Sequence, residues 1–158
     1  LRGNANTRLK KLDEGEFDAI ILASAGLKRL EMEDRITQFI DVETCLPAIG
    51  QGAIGIECRQ GDTDTEALIA ALYDEETNTC LTAERAMNET LNGGCQVPIA
   101  GFATLDGDTL SMNGRVAEID GSNMLYVADT AKVADAKQLG INLANQLLEQ
   151  GAKAILEN

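Results

Sequence analysis

The sequence predicts an α/β segment followed by a small α+β domain, and two observations support this division. Residues 17–23 form a continuous apolar run, which is typical of a strand buried on both faces of a parallel sheet. Beyond residue 98, strand-like stretches alternate with Asp-Gly turns, which are strong hairpin signals. The length of 158 residues suffices for one compact domain or two small ones.

The first predicted element is a short helix. Asn6 or Thr7 is its candidate cap, and the helix passes through Leu9 and Leu12 before it ends near Gly15. The apolar strand at 17–23 follows.

Ser24 can cap the next helix, which carries Gly26, Lys28 and Arg29. A turn from a strand into a helix is a place where α/β proteins bind anions, because free N–H groups gather there.

The segment from residue 46 to 56 is rich in glycine, at Gly50, Gly52 and Gly55. No Gly-Lys-Ser/Thr follows, and the spacing is a poor match to a dinucleotide-binding motif. We therefore predict a flexible hinge that leads into a strand at 53–58. Thr63 or Asp64 can cap the helix that comes next.

The remaining residues predict a complete small domain. A helix over 76–91 stops at Gly93-Gly94, and strands are expected at 98–105, 109–118 and 123–130. A long amphipathic helix is expected at 133–150. On the middle strand, the apolar side chains that should face the core are Leu110, Met112 and Val116. On the long helix they are Ala136, Leu139, Leu143 and Leu147. This is a three-stranded antiparallel sheet covered by helices.

The charge is strongly negative and unevenly distributed. The chain has 13 Lys and Arg residues, 26 Asp and Glu residues, no His and a formal net charge of -13, which with few aromatics argues against nucleic-acid binding. Residues 1–35 are neutral overall, so the later residues carry the whole negative charge. The simple interpretation is a solvated acidic surface, and the alternative is that the first segment keeps its arginines for an anionic ligand.

The four cysteines, at 45, 58, 80 and 95, form no close pair and no CxxC motif. Neither a zinc site nor a redox dithiol is predicted, and free thiols favour a reducing compartment, which we expect to be the cytoplasm. No apolar stretch approaches the roughly 20 residues of a membrane span.

Two features are candidates for chemistry. Cys95 follows the C-terminal end of a helix, where the helix dipole disfavours a thiolate, so it suits a thiol that reacts once better than a repeatedly used nucleophile. An inert loop cysteine is the alternative. Arg2, Arg8 and Arg29 could bind a polycarboxylate through their guanidinium groups, or simply form surface ion pairs with neighbouring carboxylates such as Asp13, Glu14 or Glu31.

Several motifs resemble the porphobilinogen deaminase (hydroxymethylbilane synthase) family. They occur in the family's order across essentially the whole chain. The most specific are Gly93-Gly94-Cys95-Gln96-Val97-Pro98 and Leu46-Pro47-Ala48-Ile49-Gly50-Gln51-Gly52; the others include Arg2-Gly3-Asn4, Asn6-Thr7-Arg8-Leu9, Ala25-Gly26-Leu27-Lys28-Arg29, Ile56-Glu57-Cys58-Arg59 and Ala83-Glu84-Arg85-Ala86.

The resemblance implies a transferase of tetrapyrrole (heme) biosynthesis that joins four porphobilinogen molecules head to tail, with release of ammonia, into hydroxymethylbilane. It implies a dipyrromethane cofactor held as a thioether on Cys95. Arg2, Arg8 and Arg29 match arginines that bind the carboxylates of the cofactor and growing chain. Further matches near cofactor or substrate are Asn4, Ala23, Gly26, Gln51 and Gly52.

The resemblance also implies a domain organisation. Residues 1–46 match the end of the second domain, 47–73 the hinge and a return segment to the first, and 74–158 the C-terminal domain; the first two domains resemble periplasmic-binding-protein lobes. The family's catalytic Asp lies upstream of this sequence, so no catalytic residue is assigned here and we expect the chain alone to be inactive.

The alternative function is a non-catalytic module that binds anionic pyrroles. No metal and no nucleic-acid or membrane partner is expected. The full-length protein is expected to be a monomer, whereas this chain could self-associate through the exposed strand edges of residues 17–23 and 53–58.

Overall fold

A computed structural model describes residues 1–94 and 97–157. The chain divides into two compact units, Leu1–Asp41 and Val42–Asn158. The helices are α1 (Ala5–Asp13), α2 (Ser24–Arg29), α3 (Thr63–Ile69), α4 (Glu75–Thr90), α5 (Ala136–Glu149) and α6 (Ala152–Leu156). The strands are β1 (Ile99–Asp106), β2 (Thr109–Ala117) and β3 (Met124–Lys132). Short 3-10 turns lie at Glu33–Arg35, Ala70–Leu72 and Val133–Asp135.

The first unit contains α1, α2 and the Glu33–Arg35 turn. Asn4 caps α1, since its side-chain Oδ1 accepts a hydrogen bond from the Thr7 backbone N–H at 2.9 Å. The predicted cap at Asn6 or Thr7 is therefore wrong, although the helix itself is confirmed. Leu9 of α1 and Leu27 of α2 are the buried side chains of these helices.

The strand predicted at 17–23 is wrong, and so is the one predicted at 53–58. Neither segment is a strand in the described part of the chain. Ile21 is 73% exposed and Ile54 is 87% exposed. A strand needs a hydrogen-bonded neighbour, and neither apolar run has one among the described residues, so both remain extended or irregular.

The α+β prediction for the later residues is confirmed. The sheet has the order β1-β2-β3 with both pairs antiparallel. Asp106 pairs with Thr109 in register, so Gly107 and Asp108 form a two-residue turn, in which Gly107 takes a φ of 59°. The β2–β3 connection contains the predicted Asp120-Gly121-Ser122 turn, where Ser122 N–H donates to Asp120 Oδ1 at 2.9 Å.

The core lies between one face of this sheet and the helices α4 and α5. All the side chains predicted to face the core are buried, including Leu110, Met112 and Val116 of β2. The stripe on α5 is also confirmed as buried: Ala136, Leu139, Leu143 and Leu147. Helix α6 was not predicted; it begins after Gly151 and buries Ala152 and Ile155.

Two glycines in the sheet make room for a methionine. Gly101 of β1 pairs with Gly114 of β2, and a Cβ placed on either one would lie within 2.7 Å of the Met87 side chain of α4. Met87 is completely buried. The missing side chains thus create a pit in the sheet that Met87 fills.

Candidate functional site

The predicted carboxylate-binding arginines are located in the first unit. Arg2 and Arg29 are exposed and Arg8 is half-buried. Arg8 Nε donates to the Gly3 carbonyl oxygen at 2.8 Å, which fixes its guanidinium beside the start of α1 and leaves its other donors available.

The alternative role of these arginines, ion pairing with nearby carboxylates, is not what the structure shows. Within residues 1–94 and 97–157, no salt bridge involves Arg2, Arg8 or Arg29. Asp13 instead pairs with Arg35, whose Nη2 lies 2.6 Å from Asp13 Oδ1, and Glu14 pairs with Lys10. The described carboxylates therefore leave all three candidate guanidinium groups unneutralised by ion pairs.

Three other predicted residues of the first unit have local structural roles. Asn4 accepts hydrogen bonds from both the backbone N–H and the hydroxyl of Thr7, so its side-chain oxygen is already used in the cap. Ala23 precedes α2 as its cap residue, and Gly26 N–H donates to the Ala23 carbonyl at 3.0 Å. The predicted cap at Ser24 is wrong, because Ser24 is itself the first helical residue.

The glycine-rich segment carries the predicted residues Gln51 and Gly52 in a tight turn. Gln51 N–H donates to the Ala48 carbonyl at 3.0 Å, and Ala48 N–H donates back to Gln51 Oε1 at 3.2 Å. Ala53 N–H donates to the Gly50 carbonyl at 3.2 Å. The Gln51 side chain therefore closes its own turn.

The start of this segment is anchored to the second unit, of which it is part, and the hinge at these residues stays a prediction. Arg115 Nη2 donates to the Glu43 carbonyl at 2.7 Å, and Gly101 N–H donates to the Pro47 carbonyl at 3.1 Å. Leu46 is buried and Ile49 packs against the core. These contacts bind the segment before Gln51 to β1 and β2.

Glu84 is the residue that sequence reasoning did not single out. This carboxylate on α4 is only 5% exposed. Its Oε2 accepts from Gly50 N–H at 2.8 Å, and its Oε1 accepts from Ala103 N–H of β1 at 2.9 Å. Burial raises the pKa of Glu84, and the two backbone hydrogen bonds oppose that rise. Its position beside Ala83 and Met87, within the apolar stripe of α4, was the available signal.

Cys95, the predicted cofactor anchor, and Gln96 lie outside the described residues. Helix α4 ends at Thr90, and Asn92 takes a left-handed φ of 57°. Gly93 N–H then donates to the Asn88 carbonyl at 2.8 Å, a pattern that closes a helix end. The left-handed residue that ends the helix is therefore Asn92, one position before the predicted stop at Gly93-Gly94.

The three described cysteines are free thiols. Cys45 and Cys58 are exposed, and burial raises the pKa of Cys80, with the Glu84 charge acting in the same direction.

In the part of the chain that the structure covers, no group of three metal-ligating side chains comes together. None of the described helices combines the length and apolar character needed to cross a membrane.

Comparison with known protein families gives two matches that follow each other along the chain. Residues 1–67 match the porphobilinogen deaminase domain described as the dipyromethane cofactor binding domain. Residues 78–149 match the C-terminal domain of porphobilinogen deaminase. Together the two matches cover most of the sequence, and they follow the order that the motifs predicted. The chain belongs to the porphobilinogen deaminase family, which are transferases with hydroxymethylbilane synthase activity in tetrapyrrole biosynthesis.

Proposed function

We propose that this chain acts in the condensation of four porphobilinogen molecules into hydroxymethylbilane, with release of ammonia. The observation that carries the proposal is the succession of a dipyrromethane-binding domain and a C-terminal domain of one enzyme family along the chain. Porphobilinogen and its oligomers carry several carboxylates, and the first unit offers three guanidinium groups without ion-pair partners among the described residues.

We assign Arg2, Arg8 and Arg29 to the carboxylates of the cofactor and the growing chain. A guanidinium group donates two parallel hydrogen bonds to a carboxylate and stays charged at any physiological pH. The Arg8 side chain is held in place, since its Nε donates to the Gly3 carbonyl. The donor set therefore fits a ligand rich in carboxylates.

We assign Cys95 as the residue that holds the dipyrromethane as a thioether. The cofactor supplies the terminal pyrrole from which the chain of rings is extended. The thiol needs to react only once in this role, which agrees with its place after the C-terminal end of α4. We also assign five residues as neighbours of cofactor or substrate, several of them through the backbone: Asn4, Ala23, Gly26, Gln51 and Gly52. Asn4 in addition caps the helix that carries Arg8.

We further propose a domain organisation that matches the family. Residues 1–46 and 47–73 would belong to lobes of the periplasmic-binding-protein type, and 74–158 to the C-terminal domain. The exposed apolar side chains of Ile21 and Ile54 support the first part, because such side chains are normally covered. Self-association through these two segments stays a prediction, and so does a cytoplasmic location, which the free thiols support.

A non-catalytic module that binds anionic pyrroles is the second candidate. The unneutralised guanidinium groups favour binding but do not require catalysis. Reversible binding of porphobilinogen without any covalent adduct would identify this second function.

One experiment distinguishes the two. The purified chain is incubated with porphobilinogen, and binding is measured by calorimetry and covalent modification by intact mass. Under the proposed function an adduct has the mass of two pyrrole units and is lost in Cys95→Ser. The matched control Cys58→Ser removes an exposed thiol and should leave the adduct unchanged. An adduct that survives in Cys95→Ser, or the absence of both binding and adduct, contradicts the proposal.

A further inference from the structure

Glu84 joins three parts of the second unit through one carboxylate. It lies on α4, one oxygen accepts from the turn at Gly50 and the other from the strand residue Ala103. A buried carboxylate costs free energy unless its oxygens are satisfied, and both oxygens of Glu84 accept a backbone N–H.

The strand that Glu84 contacts is an edge of the sheet. Among the described residues β1 pairs only with β2, and Gly101 and Ala103 direct their N–H groups away from that partner. The Pro47 carbonyl accepts from Gly101 and the Glu84 carboxylate accepts from Ala103. The free edge is thereby covered by the 47–50 segment and by Glu84 together.

Apart from the shorter aspartate, no other side chain offers the two acceptor oxygens that this connection uses. A carboxylate has two acceptor oxygens at the end of a single side chain. A glutamine at this position would offer one acceptor and one NH2 group, so one of the two backbone N–H groups would face another donor.

We propose that Glu84 is a positioning residue that fixes the backbone of Gln51 and Gly52 for ligand contact. Gln51 follows Gly50 directly, and the turn that contains it is held on the other side by its own bond to Ala48. Holding Gly50 at one point sets the direction in which the Gly52 N–H group points, while the Gln51 N–H group is already bonded to the Ala48 carbonyl within the turn. The ligand part of this inference rests on the proposed function, in which these two residues lie next to the cofactor or substrate.

The test compares Glu84→Gln and Glu84→Ala with the control Glu89→Gln, which alters an exposed glutamate on the same helix. Backbone amide exchange is followed at Gly50 and Gln51, with Leu143 of α5 as a reporter of the core. We expect exchange at Gly50 and Gln51 to accelerate by at least about tenfold in Glu84→Ala, with Glu84→Gln between it and the wild type. Exchange at Leu143 should not change, and Glu89→Gln should behave as the wild type.

Two exchange results would overturn the positioning role. Gly50 could exchange at the wild-type rate in Glu84→Ala, or Leu143 could lose protection to the same extent as Gly50, which would make Glu84 a general core residue. The second readout is affinity for porphobilinogen, which should weaken by about tenfold in Glu84→Ala and remain unchanged in Glu89→Gln.

The two readouts separate this inference from the proposed function. If the wild-type chain binds no porphobilinogen, the proposed function fails while amide exchange still tests whether Glu84 holds the turn. If the turn is released in Glu84→Ala but the affinity is unchanged, the turn is held by Glu84 and its role toward the ligand is overturned.

Discussion

Gly140 of α5 packs directly against the main-chain carbonyl oxygen of Ala83 on α4. A Cβ at Gly140 would overlap this oxygen and would also lie 2.9 Å from the Ala86 Cβ and from the Met87 nitrogen. The two helices therefore contact each other through backbone at this point, and their close approach depends on a residue without a side chain.

Gly140→Ala should destabilise the second unit. The added methyl group meets backbone rather than a flexible side chain, so the helices must separate, and we expect a loss of about 1–3 kcal/mol in the free energy of unfolding. Urea denaturation measures this. The control is Gly55→Ala, where a Cβ meets no atom within 4 Å. Equal stability of the two variants would show that α4 and α5 can move apart without cost.

Leu143→Ala tests the core predicted from the α5 stripe. Leu143 is completely buried between α5 and the sheet, so its truncation leaves a cavity and should cost about 2–5 kcal/mol. Leu72→Ala removes the same atoms from a largely exposed position and should cost far less. Thermal and urea unfolding of both variants provide the comparison, and similar losses in the two would place Leu143 outside the cooperative core.

The ionisation of Glu84 should make stability depend on pH. Because burial raises its pKa in the folded state, the folded chain binds the proton more tightly than the unfolded chain. The contribution of Glu84 to stability is thus complete below its unfolded pKa, near 4.5, and is lost as the pH rises through the folded pKa.

The measurement is the difference in unfolding free energy between the wild type and Glu84→Gln, from pH 4 to 7. The other titrating groups are common to both proteins and cancel. We expect the wild type to lose stability relative to Glu84→Gln as the pH rises. A difference that does not change with pH, or a wild type that becomes more stable relative to Glu84→Gln as the pH rises, would contradict the raised pKa.

Arg29→Gln should weaken the binding of porphobilinogen. The substitution removes a charge that has no ion-pair partner among the described residues. It should therefore reduce the affinity for the ligand and leave the stability of the fold nearly unchanged. A charge-assisted hydrogen bond contributes about 1.5–3 kcal/mol, which corresponds to a loss of affinity of roughly tenfold or more. Calorimetric titration measures it.

Arg35→Gln is the matched control for that experiment. Arg35 is already paired with Asp13, so its substitution should leave the affinity near the wild-type value. An equal loss of affinity in both variants would mean that only the total positive charge matters, and the assignment of Arg29 to a specific carboxylate would be withdrawn.

The elements that the sequence predicted correctly are those with local signals. The Asp-Gly turns define the hairpins of β1, β2 and β3, and the 3.6-residue stripe defines α5. The starts of α1 and α2 were displaced by one to three residues, because several capping residues lie next to each other at Asn4, Asn6 and Thr7.

The failures share a different cause, since they depend on neighbours that are distant in sequence. The apolar runs at 17–23 and 53–58 have strand composition, but composition does not supply a partner strand. The sequence places Glu84 in the apolar stripe of α4, but its two backbone partners, Gly50 and Ala103, are distant in sequence and only the fold identifies them. The motifs were enough to name the candidate arginines. That these arginines form no ion pairs became clear only from the structure, in which Asp13 and Glu14 pair with other residues.

The pit formed by Gly101 and Gly114 also constrains how this protein can vary. A side chain at either glycine would enter the space that Met87 occupies, and a shorter residue in place of Met87 would leave that space empty. Each single change is unfavourable, while a larger strand residue combined with a smaller helix residue can restore the packing. The three positions are therefore expected to change together across evolution, so that the loss from one substitution depends on which residues hold the other two.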